Sequence, residues 1–405
     1  MENFGLWRRL RRVGPALVLA AVVLGPGSIT LCTMAGSLYG YRLLWVPLVA
    51  TVFMIAFTWM SARIALVTRL TVLEAARHRF GPGITRLGGL FGFLAICAFQ
   101  AGNSAAVGFA GDALFGIGAR FWAAVLFVPA MAFILLPNLY GKLEILVKWV
   151  VGLMVIAFVG TVAVVGIDWR AAVPGIVPSF PEPAAVFLAL GMAATTFSIA
   201  AAVFQSHLMR EKNWGPEELS AESVDSFLGI AILGGISILV LFTSAGVLYG
   251  EGTAFTAETM ARQLEPLAGP AAFYLFIWGF FFAGFSSLIV NPLIGAALLV
   301  DGFGGNASMD GRTVKIWTVA ALSIGLAVVM TFGSSPIELL RFAQAVAVVA
   351  FPILGFLVLA LAADRKVMGR HANSIGVNLL GALGYLTILG IVLNYLRLAA
   401  QTFLE

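Results

Sequence analysis

The stretch VVLGPGSITL, residues 22–31, lies inside an apolar run long enough to cross a bilayer, and at its centre stand Gly25, Pro26, Gly27 and Ser28. Proline removes a backbone donor and crowds the preceding turn, and glycine weakens the helix on either side. The stretch therefore predicts a membrane helix that unwinds near its midpoint. Unpaired backbone groups are costly in hydrocarbon, so irregular backbone at that depth has to be buried in protein or line a cavity.

The rest of the chain supports the membrane setting. Its 405 residues are 61% hydrophobic and 11% charged, with a mean hydropathy of +1.01. A soluble domain carries about 25% charged residues. A span needs roughly 20 apolar residues. Eleven such runs are read, at 13–36, 43–66, 84–113, 120–137, 145–166, 184–208, 225–248, 271–299, 313–332, 337–362 and 374–399. The first follows a basic arm directly, with no cleavage-site pattern behind it. The longest loops are 167–183, 209–224 and 249–270, so residues 1–405 read as a single transmembrane domain.

Charge sets the expected orientation. With the N-terminus cytoplasmic, the inward connections hold 18 of the 24 Lys and Arg residues. By the positive-inside rule this predicts a multi-pass protein of the cell (inner) membrane, N-terminus inside and C-terminus outside. The same distribution explains the pI of 9.4 without a nucleic-acid partner. Cys32 and Cys97 both lie in apolar runs and read as small buried hydrophobes, with neither a disulfide framework nor metal-ligand spacing.

The sixth span, FLALGMAATTFSIAAAVFQSHL, carries a second anomaly. Thr195, Thr196, Phe197 and Ser198 form a polar patch in an otherwise Ala-rich apolar helix. A broken first span matched by an anomalous sixth is the pattern of a five-plus-five inverted repeat with the substrate between the two breaks. No proline marks this second position.

Four segments then carry a resemblance to a known family. VGPALVLAAVVLGPGSITLCTMAGSLYGYRLLWVPL resembles the first span of the NRAMP family of divalent-metal transporters. AVFLALGMAATTFSIAAAVFQSHL resembles its sixth, FFFAGFSSLIVNPLIGAALLVDGF its eighth, and FPILGFLVLALAADRKVMG the end of its tenth. The similarity runs in order over nearly the whole chain. It implies an all-α polytopic membrane protein of the leucine-transporter-type fold, with 11 transmembrane helices. Helices 1 and 6 would be unwound, 13–166 and 184–362 would be the two repeats, and 374–399 an extra helix.

The resemblance also implies where the chain departs from the family. The family's metal-binding Asp falls at Gly25 and its Asn at Ser28. The sixth-span Met falls at Ser198, and the Pro and His after it at Ile199 and Ala200. Two third-span acids tied to proton movement fall at Gln100 and Asn103. A Gln before the tenth-span proline falls at Ala350, while Gln344 is kept. Transition metals favour carboxylate, imidazole or sulfur ligands, and no Asp or Glu lies near the middle of any span. The chain thus resembles a divergent branch lacking the transition-metal site, and NRAMP-related bicarbonate transporters.

Helix N-termini converging on an uncharged cavity would favour a small anion. The substrate-binding residues are then expected to be Gly25, Pro26, Gly27, Ser28, Thr30, Thr195, Thr196 and Ser198, with the hydroxyls as donors. Gln100, Asn103, Arg341 and Gln344 are expected in the vestibule or pathway, and His207 at the inner interface of the sixth span. The main expectation is a monomeric secondary transporter taking up bicarbonate or a similar anion without proton coupling. No metal site, cofactor or nucleic acid is expected, and the bilayer is the surrounding partner. Two alternatives stay open, a transporter of a divalent cation such as Mg²⁺ and a non-transporting membrane sensor. An enzyme is not expected, since no catalytic or phosphate-binding motif appears and His78, His207 and His371 lie at span ends or in loops.

Overall fold

The computed structural model describes residues 19, 23–137, 139–250, 256–333 and 351–404. All regular structure among them is helical. The principal helices are α1 (Pro26–Tyr39), α2 (Trp45–Thr68), α3 (Val72–Phe80), α4 (Pro82–Phe115), α5 (Ala119–Leu135), α6 (Leu139–Val165) and α7 (Pro183–Thr196). They continue with α8 (Ile199–Glu211), α9 (Leu219–Val247), α10 (Ala272–Gly302), α11 (Arg312–Phe332), α12 (Phe351–Ala363) and α13 (Ile375–Leu404).

Seven helical units among the described residues are long and apolar enough to cross a membrane, or eight if the pair Val151–Val165 and Trp169–Ile176, bent by 113°, is one span. Eleven were expected. The fourth is shorter than a full span, with α5 at 17 residues. Most of the expected first span before Gly25, and residues 334–350 of the tenth, lie outside the described residues.

Both anticipated breaks are present. Gly25 is extended (φ −81°, ψ 179°) and α1 starts at Pro26, where a missing N–H costs nothing because the first helical donors are unpaired in any case. In the sixth span α7 stops at Thr196, Phe197 and Ser198 are non-helical, and α8 starts at Ile199. No proline is needed there. The Thr195 hydroxyl bonds back to the carbonyls of Gly191 and Met192, both at 3.1 Å, a competition with the helical ladder that loosens a turn. Phe197 anchors the break by seating its ring 5.2 Å from Phe57 and 5.8 Å from Phe53 of α2.

The frame around the breaks is built from small residues. In lipid, helices gain little from burying apolar surface against one another, so close backbone approach and van der Waals contact take over. The most extensive contact is α4 against α10. A Cβ added at Gly89 would fall 2.5 Å from the Leu298 carbonyl oxygen and 2.9 Å from the Cα of Gly302. Only glycine fits at that crossing.

The connections gather at two ends. At one, the Tyr39 hydroxyl donates to Glu182 (2.8 Å), the Trp45 indole to the Ser179 carbonyl (3.2 Å), and Gly250 N–H to the Ser37 carbonyl (3.3 Å). At the other, Arg210 pairs with Glu74 (2.7 Å) and Arg79 with Asp364 (2.6 Å). The Met309 N–H there donates to Glu211 (2.9 Å). The Arg79 hydrogen bond holds the Asp364 carboxyl below its ordinary range, helped by the Lys366 N–H.

Candidate functional site

A small cavity of about 40 Å³ lies between the two breaks. Gly25, Gly27 and Ser28 line it from the first break, and Ala194, Thr195 and Ser198 from the second. Ile96, Phe99 and Asn103 close it from α4, Asn291 from α10, and Val23 completes the lining. The expected residues Gly25, Gly27, Ser28, Thr195, Ser198 and Asn103 are thus brought together. Pro26, Thr30 and Thr196 are buried beside the breaks but do not line the cavity, and neither does Gln100. Arg341 and Gln344 lie outside the described residues.

Gln100 has a different task. Pro292, inside α10, lacks the N–H that would bond the Leu288 carbonyl four residues earlier. The Gln100 side-chain amide supplies it, with Nε2 2.9 Å from that oxygen. Gln100 Oε1 in turn accepts from Asn103 Nδ2 at 3.4 Å. That leaves the Asn103 side-chain oxygen and the second Nδ2 proton available to a ligand. Asn291 was missed in the sequence reading, although an Asn-Pro pair inside an apolar run was a readable signal.

The hydroxyls decide the sign of the site. A serine or threonine hydroxyl carries one proton and two lone pairs. The Ser28 hydroxyl donates its proton to the Val23 carbonyl at 3.0 Å, an oxygen beside the break. The Thr195 hydroxyl spends its proton on Gly191 or Met192 within its own helix. What these groups can offer the cavity is lone pairs. The last carbonyls of α7 add to them, since a helix C-terminus is the negative end of its dipole. At these two residues the cavity therefore meets acceptors where the residue types suggested donors.

A second polar cluster lies at the far end of α8. His207, expected at the interface, is buried there. Its Nε2 is 3.0 Å from Asp301 Oδ2 of α10, out of line for a hydrogen bond, and its Nδ1 has no partner. Asp301 Oδ2 accepts from the Thr71 hydroxyl at 2.6 Å, while Oδ1 is unpartnered. The Arg77 guanidinium caps α10 by donating to the carbonyls of Asp301 (2.6 Å) and Gly302 (2.8 Å). Ser206 accepts from the Val72 N–H at 3.2 Å. These bonds tie α3 to the end of α8 through Ser206, and to the end of α10 through Thr71 and Arg77.

Two discontinuous helices around a polar cavity, inside a bundle of apolar spans, define a class: multi-pass secondary transporters with broken helices. The Nramp family model, described as natural resistance-associated macrophage protein-like, matches residues 16–398, and the chain belongs to that family. Its members are secondary transporters, not enzymes. The chain is 27% identical over 410 residues to the divalent metal cation transporter MntH of Acidiphilium cryptum, covering 95% of this chain and 90% of that protein. To MntH of Verminephrobacter eiseniae it is 25% identical over 391 residues, covering 93% and 86%. The manganese transporter of Eremococcus coleocola, solved with an aromatic bis-isothiourea compound, superposes with a TM-score of 0.80 at 17% identity, over 96% of this chain and 86% of that one. Mhp1, a nucleobase-cation-symport-1 family transporter, superposes with a TM-score of 0.59 at 15% identity, over 96% and 93%.

These relatives overturn the anion expectation. The full-length relatives are named as carriers of divalent metal cations, and nothing among them marks a bicarbonate branch. Bicarbonate or a similar anion is therefore withdrawn as substrate and as partner. Two of the donors assigned to an anion, the Ser28 and Thr195 hydroxyls, are in addition already committed to backbone carbonyls.

Proposed function

We propose that this chain moves a divalent metal cation across the membrane, through the cavity between the two breaks. The observation that carries the reading is the match to divalent metal cation transporters along nearly the whole chain. The oxygen atoms that line the cavity support it. Among the described residues no group of three or more His, Cys, Asp or Glu side chains could hold a metal. The ion would instead meet the hydroxyl oxygens of Ser28, Thr195 and Ser198, the amide oxygens of Asn103 and Asn291, and backbone carbonyls of the broken helices. Such a hard, uncharged oxygen set suits an ion that keeps part of its water, as Mg²⁺ does, more than one held by soft ligands.

The architecture is proposed as two inverted repeats, 13–166 and 184–362, followed by a helix at 374–399, eleven spans in all. The protein would lie in the inner membrane with its N-terminus inside, so that the end carrying Arg79, Arg210 and Asp364 faces the cytoplasm.

Purified protein in liposomes loaded with Mg²⁺- and Mn²⁺-sensitive dyes tests the function. Protein-dependent, saturable entry of a divalent ion is expected, reduced in Ser28→Ala. No entry of either ion would overturn the reading.

A further inference from the structure

We propose that the end of the bundle carrying Arg79 and Lys366 holds a specific anionic phospholipid, its phosphate in a basic pocket and its acyl chain along α4. The pocket, about 220 Å³, is lined by Thr68, Leu70, Ala75, His78, Arg79, Lys366 and Val367. Arg79 and Lys366 bring two fixed positive charges, and His78 an imidazole that gains a third on protonation. The acid at the mouth is Asp364, bonded to Arg79 at 2.6 Å and to the Lys366 N–H at 2.8 Å. Exposed Arg365 and Arg370 follow in the same connection. The balance is positive, as a phosphodiester requires.

An apolar path begins where the pocket ends. The Arg79 guanidinium lies 5.6 Å from the centre of the Phe80 ring. Phe80 in turn lies 6.1 Å from Phe356 of α12. Both rings are exposed, and so are Leu87, Leu90 and Leu94 of α4. Those leucines follow at i, i+3 and i+7, which places them on one helix face. α4 meets α12 at Gly88, where a Cβ would be 3.3 Å from Leu354. A charged mouth that runs into an apolar strip fits a molecule with an anionic head and a hydrocarbon tail. A free anion has no tail for the second half, and a zwitterionic lipid brings no net charge to the first. Basic pockets at a membrane interface bind acidic headgroups through this combination of charge and depth.

The site is independent of which ion the transporter carries. It is tested on the full-length protein with three probes, phosphatidylglycerol, phosphatidylcholine with the same acyl chains, and glycerol phosphate. Lipid retention is read by native mass spectrometry, and stability by thermal unfolding. Phosphatidylglycerol is expected to be retained and to raise the unfolding temperature, while the other two probes do neither. Lys366→Gln should weaken phosphatidylglycerol binding about fivefold, the factor expected for one basic group at a membrane surface. His78→Asn should weaken it less, and both variants leave the Arg79–Asp364 pair in place. Leu90→Asn should weaken retention while leaving the headgroup pocket intact. Each variant is compared with wild type in phosphatidylcholine, so a folding defect is seen separately. Equal retention of the two lipids would overturn the proposal, as would unchanged binding in Lys366→Gln. Full stabilisation by glycerol phosphate alone would also overturn it, because the site would then recognise phosphate without a tail.

Discussion

The cavity between the breaks and the cluster at the end of α8 handle buried polarity in opposite ways. The cavity is lined by uncharged side chains, with the Ser28 and Thr195 hydroxyl protons satisfied locally. The cluster concentrates an imidazole, a carboxylate and a guanidinium, and leaves His207 Nδ1 and Asp301 Oδ1 without partners. A neutral lining costs little to keep near the middle of a membrane. A buried carboxylate with an unmet oxygen is expensive, and it persists only where the surrounding packing holds it. The lesson is a division of labour: the cavity between the breaks stays uncharged, and the charges hold α3 against the end of α10.

That division can be broken most forcefully at Asp301. Asp301→Ala strips the Thr71 hydroxyl of its acceptor and leaves His207 unopposed, and is expected to cost about 3 kcal/mol of stability. Thermal unfolding in detergent measures it. Wild-type stability in that variant would mean that the buried carboxyl does not hold α3 against α10. Gln100→Leu comes next, because it uncovers the Leu288 carbonyl freed by Pro292. The expected loss is about 2 kcal/mol, with KM for the ion nearly unchanged. A large change in KM with intact stability would place Gln100 in the ion path instead.

The cavity side is sharpened by adding what it lacks. Gly25 has an ordinary extended backbone, a conformation that an aspartate can adopt. Gly25→Asp is expected to tighten binding of Mn²⁺ at least about tenfold, equivalent to about 1.4 kcal/mol, as read by calorimetry on purified protein. Unchanged affinity would move the ion away from the first break. Ser28→Ala should weaken binding by roughly fivefold, about 1 kcal/mol, for one lost hydroxyl.

The smallest effect belongs to the exposed Arg79–Asp364 pair. The folded-state pKa of Asp364 is depressed, so its contribution is present above the ordinary aspartate value of about 3.9. That contribution fades as the pH falls through the lowered folded value. Asp364→Asn should remove only this acid-side slope from the stability profile. An unchanged slope would show that the pair adds nothing.

How much of this was legible in the sequence varies from residue to residue. Gly25-Pro26-Gly27 announced its break through chemistry that acts within one turn. The break at Phe197-Ser198 was readable as a polar patch, although the Phe53 and Phe57 rings that anchor it come from another helix. Asn291 was visible beside Pro292, but its place at the cavity depends on how α10 packs on α4. The inner cluster was hidden, since Thr71, His207 and Asp301 meet only after three distant segments fold together. The sign of the site was hidden most deeply. A serine can give or take a hydrogen bond, and the choice at Ser28 was made by the Val23 carbonyl beside the break. Residue types alone suggested donors, and the backbone turned them into acceptors.

The crossing of Gly89 and Gly302 has a dynamic consequence. Two backbones in such contact cannot slide along one another by part of a turn without collision. Any rocking that opens the cavity alternately to each side must then leave α4 and α10 moving as one body, with the broken helices turning against it. In amide hydrogen exchange the two helices should behave as a single, slowest-opening unit, and a methyl group at position 89 should loosen both at once.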